Sequence, residues 1–193
     1  MRVFFAGASG VIGVRIVPLL IAAGHEVAAM TRSPDKAKLL RGLGAEPVVC
    51  DVYDANALVK AVTEFGAQAV IHQLTDLPDD PRRIPEFGPV NARIRREGTG
   101  NLIAAAQAAG ATRFLAQSLA WSIPGDGGTA VSDLERAVLA IGGVVLRYGQ
   151  FYGDGTYFEE SKPPPPRVQI DEAAKRSVVA LSDGSAGVVL ITE

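Results

Sequence analysis

Three glycines near the start of the chain have the spacing of sites that hold a dinucleotide phosphate. The segment GASGVIG at 7–13 follows the apolar run RVFFA at 2–6 and precedes apolar residues at helical spacing. In such a unit Gly7 allows a sharp turn, Gly10 leaves room for a pyrophosphate, and Gly13 lets the helix lie close to the sheet. The freed N–H groups would face the phosphates. The pattern predicts nucleotide binding, in preference to a purely structural turn, by Gly7, Ser9, Gly10, Val11, Ile12 and Gly13.

The residues after the second predicted strand indicate which cofactor is bound. NAD sites commonly place Asp or Glu about 20 residues after the glycine turn, where it holds the ribose 2′-hydroxyl. This chain has Thr31, Arg32 and Ser33 there and no carboxylate. A guanidinium pairs well with a 2′-phosphate and hydroxyls can add donors, so we expect NADP(H) in preference to NAD(H). The alternative makes Arg32 a solvated turn residue; both roles are compatible if Ser33 caps the helix that Pro34 begins.

The elements that would carry these residues follow from the apolar patterns. After the first strand, further strands are predicted at 26–30, 46–50, 69–72, 111–117, 143–147 and 187–192, and helices at 34–43, 54–65, 90–110, 129–138 and 170–181. This order predicts an α/β fold: a Rossmann doubly wound parallel sheet with helices on both faces, formed by residues 1–193 as a single domain. The Pro-rich, charged segment 75–89 is predicted to be a loop at the carboxyl edge of the sheet, where such folds bind ligands.

Composition argues against several classes of protein. The 193 residues have a formal net charge of −2 and scattered basic side chains, which disfavours a nucleic-acid surface. Arg15 and Pro18 interrupt the best apolar run, so no membrane span is expected. Cys50 is the single cysteine, and His25 and His72 are far apart, so neither a disulfide framework nor a metal centre is expected. A cytoplasmic protein with a small-molecule substrate fits these features.

Six segments in a fixed order make the chain resemble the short-chain dehydrogenase/reductase superfamily, in its extended, NAD(P)-dependent epimerase/dehydratase group. They are GASGVIG at 7–13, DVYD at 51–54, VIHQLT at 70–75, NARIRREGTGNLIAAAQAAG at 91–110, FLAQS at 114–118 and VVLRYGQFYGDGT at 144–156. The resemblance implies a Rossmann fold, a nicotinamide cofactor and a substrate over the carboxyl edge of the sheet. The cofactor contacts that it adds are Asp51, Val52, Gln73, Leu74 and Asn91. For Asp51 two roles stay open, a contact with the adenine amino group or a cap of the next helix.

The proton-transfer pair that this resemblance implies is missing. Members of the superfamily use a Tyr and a Lys four residues apart on the helix after the fifth strand, helped by a Ser at the end of that strand. Ser118 occupies the serine position, but Gly127 and Val131 stand where Tyr and Lys belong. The remaining candidates for a proton donor near the nicotinamide are Ser118, His72, Tyr148 and Tyr152. The alternatives are a hydrogen-bonded strand end for His72 and packing around the cofactor loop for the two tyrosines.

A Pro-rich loop at 154–167 stands where relatives insert most of a substrate-binding lobe, so the lobe is predicted to be much reduced. The site would then be open or completed by another subunit. The helices at 90–110 and 129–141 would pair in a homodimer, as in resembling proteins, unless the sheet uses their apolar faces.

Two functions are compatible with these residues. The first is an NADP(H)-dependent oxidoreductase or epimerase-like enzyme that works without the Tyr-Lys pair, because hydride transfer needs a held nicotinamide and an acceptor at close range. The second is a non-catalytic NADP(H)-binding sensor or regulatory protein.

Overall fold

The computed structural model describes all 193 residues and contains a seven-stranded sheet and a separate pair of short strands. The strands of the large sheet are β1 (Arg2–Ala6), β2 (Glu26–Thr31), β3 (Glu46–Val49), β4 (Ala69–His72), β5 (Arg113–Leu119), β6 (Val144–Tyr148) and β9 (Gly187–Ile191), and the short pair is β7 (Gln150–Tyr152) with β8 (Arg167–Gln169). The helices are α1 (Gly13–Ala22), α2 (Ala37–Gly42), α3 (Ala55–Phe65), α4 (Gly88–Arg93), α5 (Thr99–Ala108), α6 (Gly125–Ala140) and α7 (Ile170–Asp183).

All seven strands of the large sheet are parallel, in the order β3-β2-β1-β4-β5-β6-β9. Successive strands are therefore added on one side of β1 up to β3 and on the other side from β4 onwards, so the strand order reverses between β1 and β4. Doubly wound folds bind their ligands at this point. At this point Ala6 lies in register with Met30 on one side and His72 on the other. The predicted Rossmann fold is confirmed.

Each face of the sheet is covered by helices, and strand β1 contributes to both cores. Val3 and Phe5 pack on the face covered by α1 and α7, whereas Phe4 and Ala6 pack on the face covered by α3, α5 and α6. Because successive side chains of a strand point to opposite faces, a strand buried on both sides reads as the continuous apolar run seen in the sequence. None of the helices combines the length and the apolar character needed to cross a membrane.

Three parts of the chain differ from the predicted elements. The segment 75–89 is not entirely a loop, because a 3₁₀ helix (Pro81–Phe87) is capped by the Asp80 carboxylate and leads into α4. The predicted helix 90–110 is not uniform: a π turn (Ile94–Gly98) separates α4 from α5. The glycines at 125–128, expected to precede α6, form its first turn.

Candidate cofactor site

The glycine turn has the geometry that its sequence predicts. Gly7 has a φ of +92°, and a Cβ on it would lie 2.7 Å from the carbonyl carbon of Gln73. A Cβ on Gly13 would lie 2.4 Å from the carbonyl oxygen of Gly7. Side chains are therefore excluded at these two positions. At Gly10, by contrast, the nearest atom to a Cβ is the Gly7 oxygen at 3.3 Å, so the space that a ligand needs is open.

Backbone donors face this open space at the start of α1. The Gly10 N–H donates to the Gly7 carbonyl, and the helical hydrogen bonds begin with the Val14 N–H to Gly10. The N–H groups of Ser9, Val11 and Ile12 have no acceptor within the chain. Unpaired N–H groups at a helix N-terminus attract anions through both hydrogen bonds and the helix dipole. The turn therefore fits a dinucleotide pyrophosphate.

Thr31, at the end of β2, joins the glycine turn to the next loop. Its buried hydroxyl oxygen accepts hydrogen bonds from the Ser9 hydroxyl at 3.4 Å and from the Ser33 N–H at 3.2 Å. The Ser33 side chain makes no capping hydrogen bond to the 3₁₀ turn (Pro34–Lys36), so the prediction that Ser33 caps this segment is wrong. Both serines instead lie where β2 and the glycine turn meet.

Arg32 lies in the exposed bend after β2, but it is not a free cation. Its Nη2 lies 2.6 Å from the Oδ1 of Asp76, with 54% of the Arg32 side chain exposed but only 13% of the Asp76 side chain. Asn91 holds Asp76 in place, since its side chain accepts from the Asp76 N–H at 3.1 Å and donates to the Asp76 carbonyl at 2.8 Å. Asn91 is thus a buried anchor of the loop after β4. Its Nδ2 also donates to the Phe87 carbonyl at 3.1 Å, so both of its N–H groups are hydrogen-bonded within the chain.

The residues after β3 lie at the same carboxyl edge of the sheet as those after β2. The exposed Asp51 carboxylate accepts the Tyr53 N–H at 2.9 Å, while Asp54 caps α3 by accepting the Ala57 N–H at 3.0 Å. The helix cap is therefore Asp54 and not Asp51. Val52 is buried, and its carbonyl accepts from the Asn101 side chain at 2.9 Å.

Tyr148 is buried and hydrogen-bonded on both sides. Its hydroxyl accepts from the Gln73 amide at 2.9 Å and lies 2.6 Å from the Ser177 hydroxyl, which itself donates to the Ala173 carbonyl. Burial raises the pKa of Tyr148 far above its usual range. With its proton held by Ser177, Tyr148 lacks the exposure and the acidity of a proton donor, and the structure contradicts its prediction as a catalytic residue.

His72 is fully buried and acts as a fixed link between β4 and α5. Its Nδ1 accepts the Leu74 N–H at 3.2 Å, which places the proton on Nε2, 3.0 Å from the Thr99 hydroxyl. Burial, with the positive charge of Arg95 as a second cause, lowers the pKa of His72 to about 4. With both nitrogens engaged, His72 is not available to exchange a proton with a substrate, contrary to its prediction as a catalytic residue.

Ser118 lies within β5 and faces α6, where it joins an ion pair. Its hydroxyl donates to Glu135 at 2.6 Å, and Arg147 donates to the same carboxylate at 2.8 and 2.5 Å. The Arg147 guanidinium, with a smaller contribution from Ser118, lowers the pKa of Glu135. The buried Ser118 hydroxyl therefore serves a carboxylate of the chain, contrary to its prediction as a proton donor near the nicotinamide.

Tyr152 lies away from these residues, in the short β7–β8 pair. The hydroxyl of this half-buried residue donates to Glu193, and the Lys162 ammonium lies 4.8 Å from its ring centroid. These contacts hold Tyr152 at the base of the loop after β6, so its prediction as a catalytic residue receives no support.

The loop between β7 and β8 reaches the glycine turn. Arg15 donates to the carbonyls of Val11 at 2.8 Å and Asp154 at 2.6 Å, and the Tyr157 hydroxyl donates to the Pro78 carbonyl in the loop after β4. The glycine turn and the loops after β2, β4 and β7 therefore border a crevice at the carboxyl edge of the sheet.

Two residues of this region, Asp76 and Arg95, were not predicted from the sequence. Arg95 lies on the buried face of the α4–α5 helix, near His72, and makes no ion pair or hydrogen bond with the chain. A signal was present, because Asn91, Arg95 and Thr99 recur every four residues and place a charge on a face that packs on the sheet. Asp76 carries no such signal. No group of His, Cys, Asp and Glu side chains is placed to hold a metal ion.

Comparisons with known proteins agree with this geometry. Residues 7–138 match the model of a family described as NAD(P)H-binding. A Streptomyces protein named 3-diazoavenalumate denitrifying reductase is 35% identical over this whole chain and 76% of its own length. A 3-beta-hydroxysteroid dehydrogenase of Mycolicibacterium neoaurum is 32% identical over 120 residues, which are 59% of this chain and 31% of that protein.

The fold itself is shared with known epimerases. The crystal structure of Thermus thermophilus UDP-glucose 4-epimerase in complex with NAD superposes on 100% of this chain and 78% of that chain, with a TM-score of 0.82 and 20% identity. Together with the glycine turn and its unpaired N–H groups, these findings support an NAD(P)-binding protein of the oxidoreductase and epimerase type. The chain therefore belongs to the NAD(P)H-binding family of extended short-chain dehydrogenase/reductase-like proteins.

Proposed function

We propose that the chain is an NADP(H)-dependent reductase that delivers a hydride to an electron-poor organic acceptor without a protein acid, and that a diazo compound is this acceptor. The observation that carries the proposal is the pairing of an intact glycine turn with a helix α6 that lacks the Tyr and the Lys. Gly127 and Val131 occupy the positions of the Tyr and the Lys on α6. The hydroxyls of Ser118 and Tyr148 are hydrogen-bonded to Glu135 and Ser177, respectively. An acceptor that needs no proton suits such a site.

The chemistry of a diazonium acceptor meets this condition. When bound, NADPH supplies a hydride; in the reduction of an aryl diazonium ion the hydride forms the new C–H bond, dinitrogen leaves with the electron pair of the C–N bond, and NADP⁺ remains. No proton is taken up, so the missing Tyr-Lys pair is not needed. The Streptomyces relative, whose name specifies a diazo compound and a reductase, supports this acceptor class.

Arg32 supports the preference for NADP(H). It stands at the end of β2, where an acidic residue would hold the 2′-hydroxyl of NAD, and its guanidinium lies at the border of the crevice, more than half exposed. A guanidinium binds a phosphate through paired charge-assisted hydrogen bonds. Asp76 shares Arg32 in the structure, so a 2′-phosphate would have to compete with this carboxylate.

The test combines cofactor labelling with a defined acceptor. The purified protein is mixed with 4-carboxybenzenediazonium and NADPH deuterated at C4, and benzoic acid carrying one deuterium on the ring is measured by mass spectrometry. We expect protein-dependent NADPH oxidation and stoichiometric deuterium transfer. A rate equal to that of the free cofactor with the diazonium ion would contradict the proposal.

The cofactor preference is tested with two matched variants. Arg32→Ala should raise the KM for NADPH roughly tenfold or more, because one charge-assisted contact contributes about 1.5–3 kcal/mol. Arg41→Ala, an exposed arginine of α2 without an ion pair, serves as the control and should leave the KM unchanged. Equal effects of the two variants on the KM would remove the assigned role of Arg32.

A non-catalytic NADP(H)-binding sensor is the second candidate. It is favoured by the fact that the polar atoms of Ser118, His72 and Tyr148 are all engaged within the chain. A sensor would bind both redox forms without turnover, and hydrogen exchange in the loops at 74–80 and 153–158 would differ between them. Identical exchange in the NADPH-bound and NADP⁺-bound forms would eliminate this candidate.

A further inference from the structure

Arg95 is the only buried side chain in the chain that carries a full charge at neutral pH. Its exposed fraction is 8%, and no carboxylate lies within ion-pair distance of its guanidinium. The neighbouring arginines differ, because Arg93 pairs with Glu97 and Arg96 pairs with Asp126 and Asp133. A guanidinium stays protonated in proteins, so a buried one without a partner in the chain needs water or a ligand at its nitrogens.

The guanidinium of Arg95 nevertheless remains reachable. Every fully buried side-chain nitrogen and oxygen of the chain has a hydrogen-bond partner, and Arg95 has none. Its nitrogens must therefore keep contact with solvent, although the residue as a whole is more than nine-tenths buried. This combination describes a cation whose stem is packed in the protein and whose head faces an opening.

The position of Arg95 on its helix shows where this opening lies. Asn91 and Thr99, one turn to either side on the same face, bind the Asp76 backbone and the His72 ring respectively. Arg95 lies between them, close enough to the His72 ring at the end of β4 for its charge to act on that ring, and the next residue, Gln73, adjoins the glycine turn. The π turn that contains Arg95 interrupts the regular helix at this point, as π turns often do at functional sites.

The anionic groups of the cofactor already have other partners. The N–H groups at the start of α1 fit the pyrophosphate, and Arg32 is placed for a 2′-phosphate. The remaining ligand of the crevice is the substrate. We propose that Arg95 binds the carboxylate of an anionic substrate at the carboxyl end of β4, and thereby anchors the substrate by the end that does not receive the hydride. This inference rests on the proposed function for the identity of the reacting group and for the assignment of Arg32 to the 2′-phosphate.

The test uses binding of carboxylate probes, which does not depend on turnover. The protein saturated with NADP⁺ is titrated with trans-cinnamate and with cinnamyl alcohol, its uncharged counterpart, and the dissociation constants are read by NMR. Arg95→Met removes the charge at similar length, and Arg95→Lys keeps the charge without the two-pronged donor. Arg93→Met, an exposed arginine on the same helix, is the matched control. NADPH affinity is measured for every variant.

We expect the wild type to prefer cinnamate over the alcohol. Arg95→Met should weaken cinnamate binding at least tenfold, leave the alcohol and NADPH within twofold, and Arg93→Met should behave as wild type. The proposal is overturned if wild type shows no preference, if Arg95→Met binds cinnamate normally, or if Arg95→Met loses NADPH instead, which would assign Arg95 to the cofactor. If Arg95→Met fails to fold, the wild-type preference and its reduction in Arg95→Lys decide the matter. Absence of diazonium turnover would remove the proposed reaction and leave this binding result intact.

Discussion

Replacing Asp76 by Asn should make the protein bind NADPH more tightly without changing its affinity for NADH. In the structure the Asp76 carboxylate holds Arg32 through a 2.6 Å contact. A 2′-phosphate that binds Arg32 must displace or share this carboxylate, whereas NADH has no such phosphate and leaves the pair intact. The backbone of Asp76 is held by Asn91 through groups that the substitution does not alter, so the loop should keep its position.

The expected size of this effect follows from the exposure of the ion pair. With 54% of the Arg32 side chain exposed, the pair itself contributes about 0.2–1 kcal/mol. Repulsion between the carboxylate and the phosphate adds roughly 0.5 kcal/mol once solvent and salt screen it. Removing both terms should therefore stabilise the NADPH complex by about 1 kcal/mol, which corresponds to about a fivefold lower dissociation constant.

Calorimetric titrations with NADPH and NADH on wild type, Asp76→Asn and Asp35→Asn would measure this effect. Asp35 is an exposed carboxylate of the same surface region that makes no ion pair, so its variant reports the effect of net charge alone. The reasoning is refuted if Asp76→Asn weakens NADPH binding, if it strengthens NADH binding to the same extent, or if Asp35→Asn has the same effect.

Three further predictions concern the turn and the buried hydrogen bonds. Gly13→Ala places a Cβ 2.4 Å from the Gly7 oxygen, so it should cost about 3 kcal/mol of unfolding free energy and weaken NADPH binding more than tenfold; normal affinity would contradict the assigned role of the turn. Tyr148→Phe should lower the unfolding free energy in urea by about 1–2 kcal/mol, because Gln73 and Ser177 lose a partner, and should leave turnover within threefold; a hundredfold slower enzyme of unchanged stability would make Tyr148 an acid after all. His72 has a folded-state pKa of about 4, below its ordinary value, so the unfolded state binds a proton more readily than the folded state. The contribution of His72 to the free energy of unfolding is therefore complete above pH 6.5 and should fall by about 3 kcal/mol as the pH drops towards 4. His72→Gln should flatten the stability curve over that range relative to wild type, and parallel curves would show that His72 is not the group that titrates.

The sheet could be predicted from sequence because its signals are local. The run Ala69–His72 is short, apolar and bounded by polar residues, and it forms β4 with those bounds. The glycine turn was predictable for the same reason, since seven consecutive residues specify both its shape and its donors.

The first turn of α6 could not be predicted in this way. Four residues of low helix propensity, Gly-Asp-Gly-Gly, oppose a helix locally. Arg96, from a different helix, binds Asp126 at 2.7 Å and Asp133 at 2.8 Å and so holds that turn in place. At Gly128 a Cβ would lie 2.1 Å from the Ile123 carbonyl oxygen. The turn therefore requires a glycine at this position, although the low helix propensity of glycine argues against a helix there.

The same distinction between local signals and contacts with distant elements applies to the site residues. Arg32 was predictable as a cation at the end of β2, but its partner Asp76 lies 44 residues further along the chain. Asp76 is held near Arg32 by Asn91, which binds the loop after β4. The roles of His72, Ser118 and Tyr148 likewise depend on partners from distant elements, Thr99, Glu135 and Ser177. Residue type alone marked them as possible acids, and packing removed that capacity.

The π turn at Ile94–Gly98 makes the length of this helix as important as its composition. A π turn takes up one residue more than an α turn, so losing one residue here would leave a regular helix with Asn91 and Thr99 still on the side that faces Asp76 and His72. Gaining one residue would instead rotate Asn91 by about 100° and break its contact with the loop after β4. Exposed positions such as Arg93 should accept many substitutions, so insertions, more than substitutions, are the changes that this part of the molecule excludes.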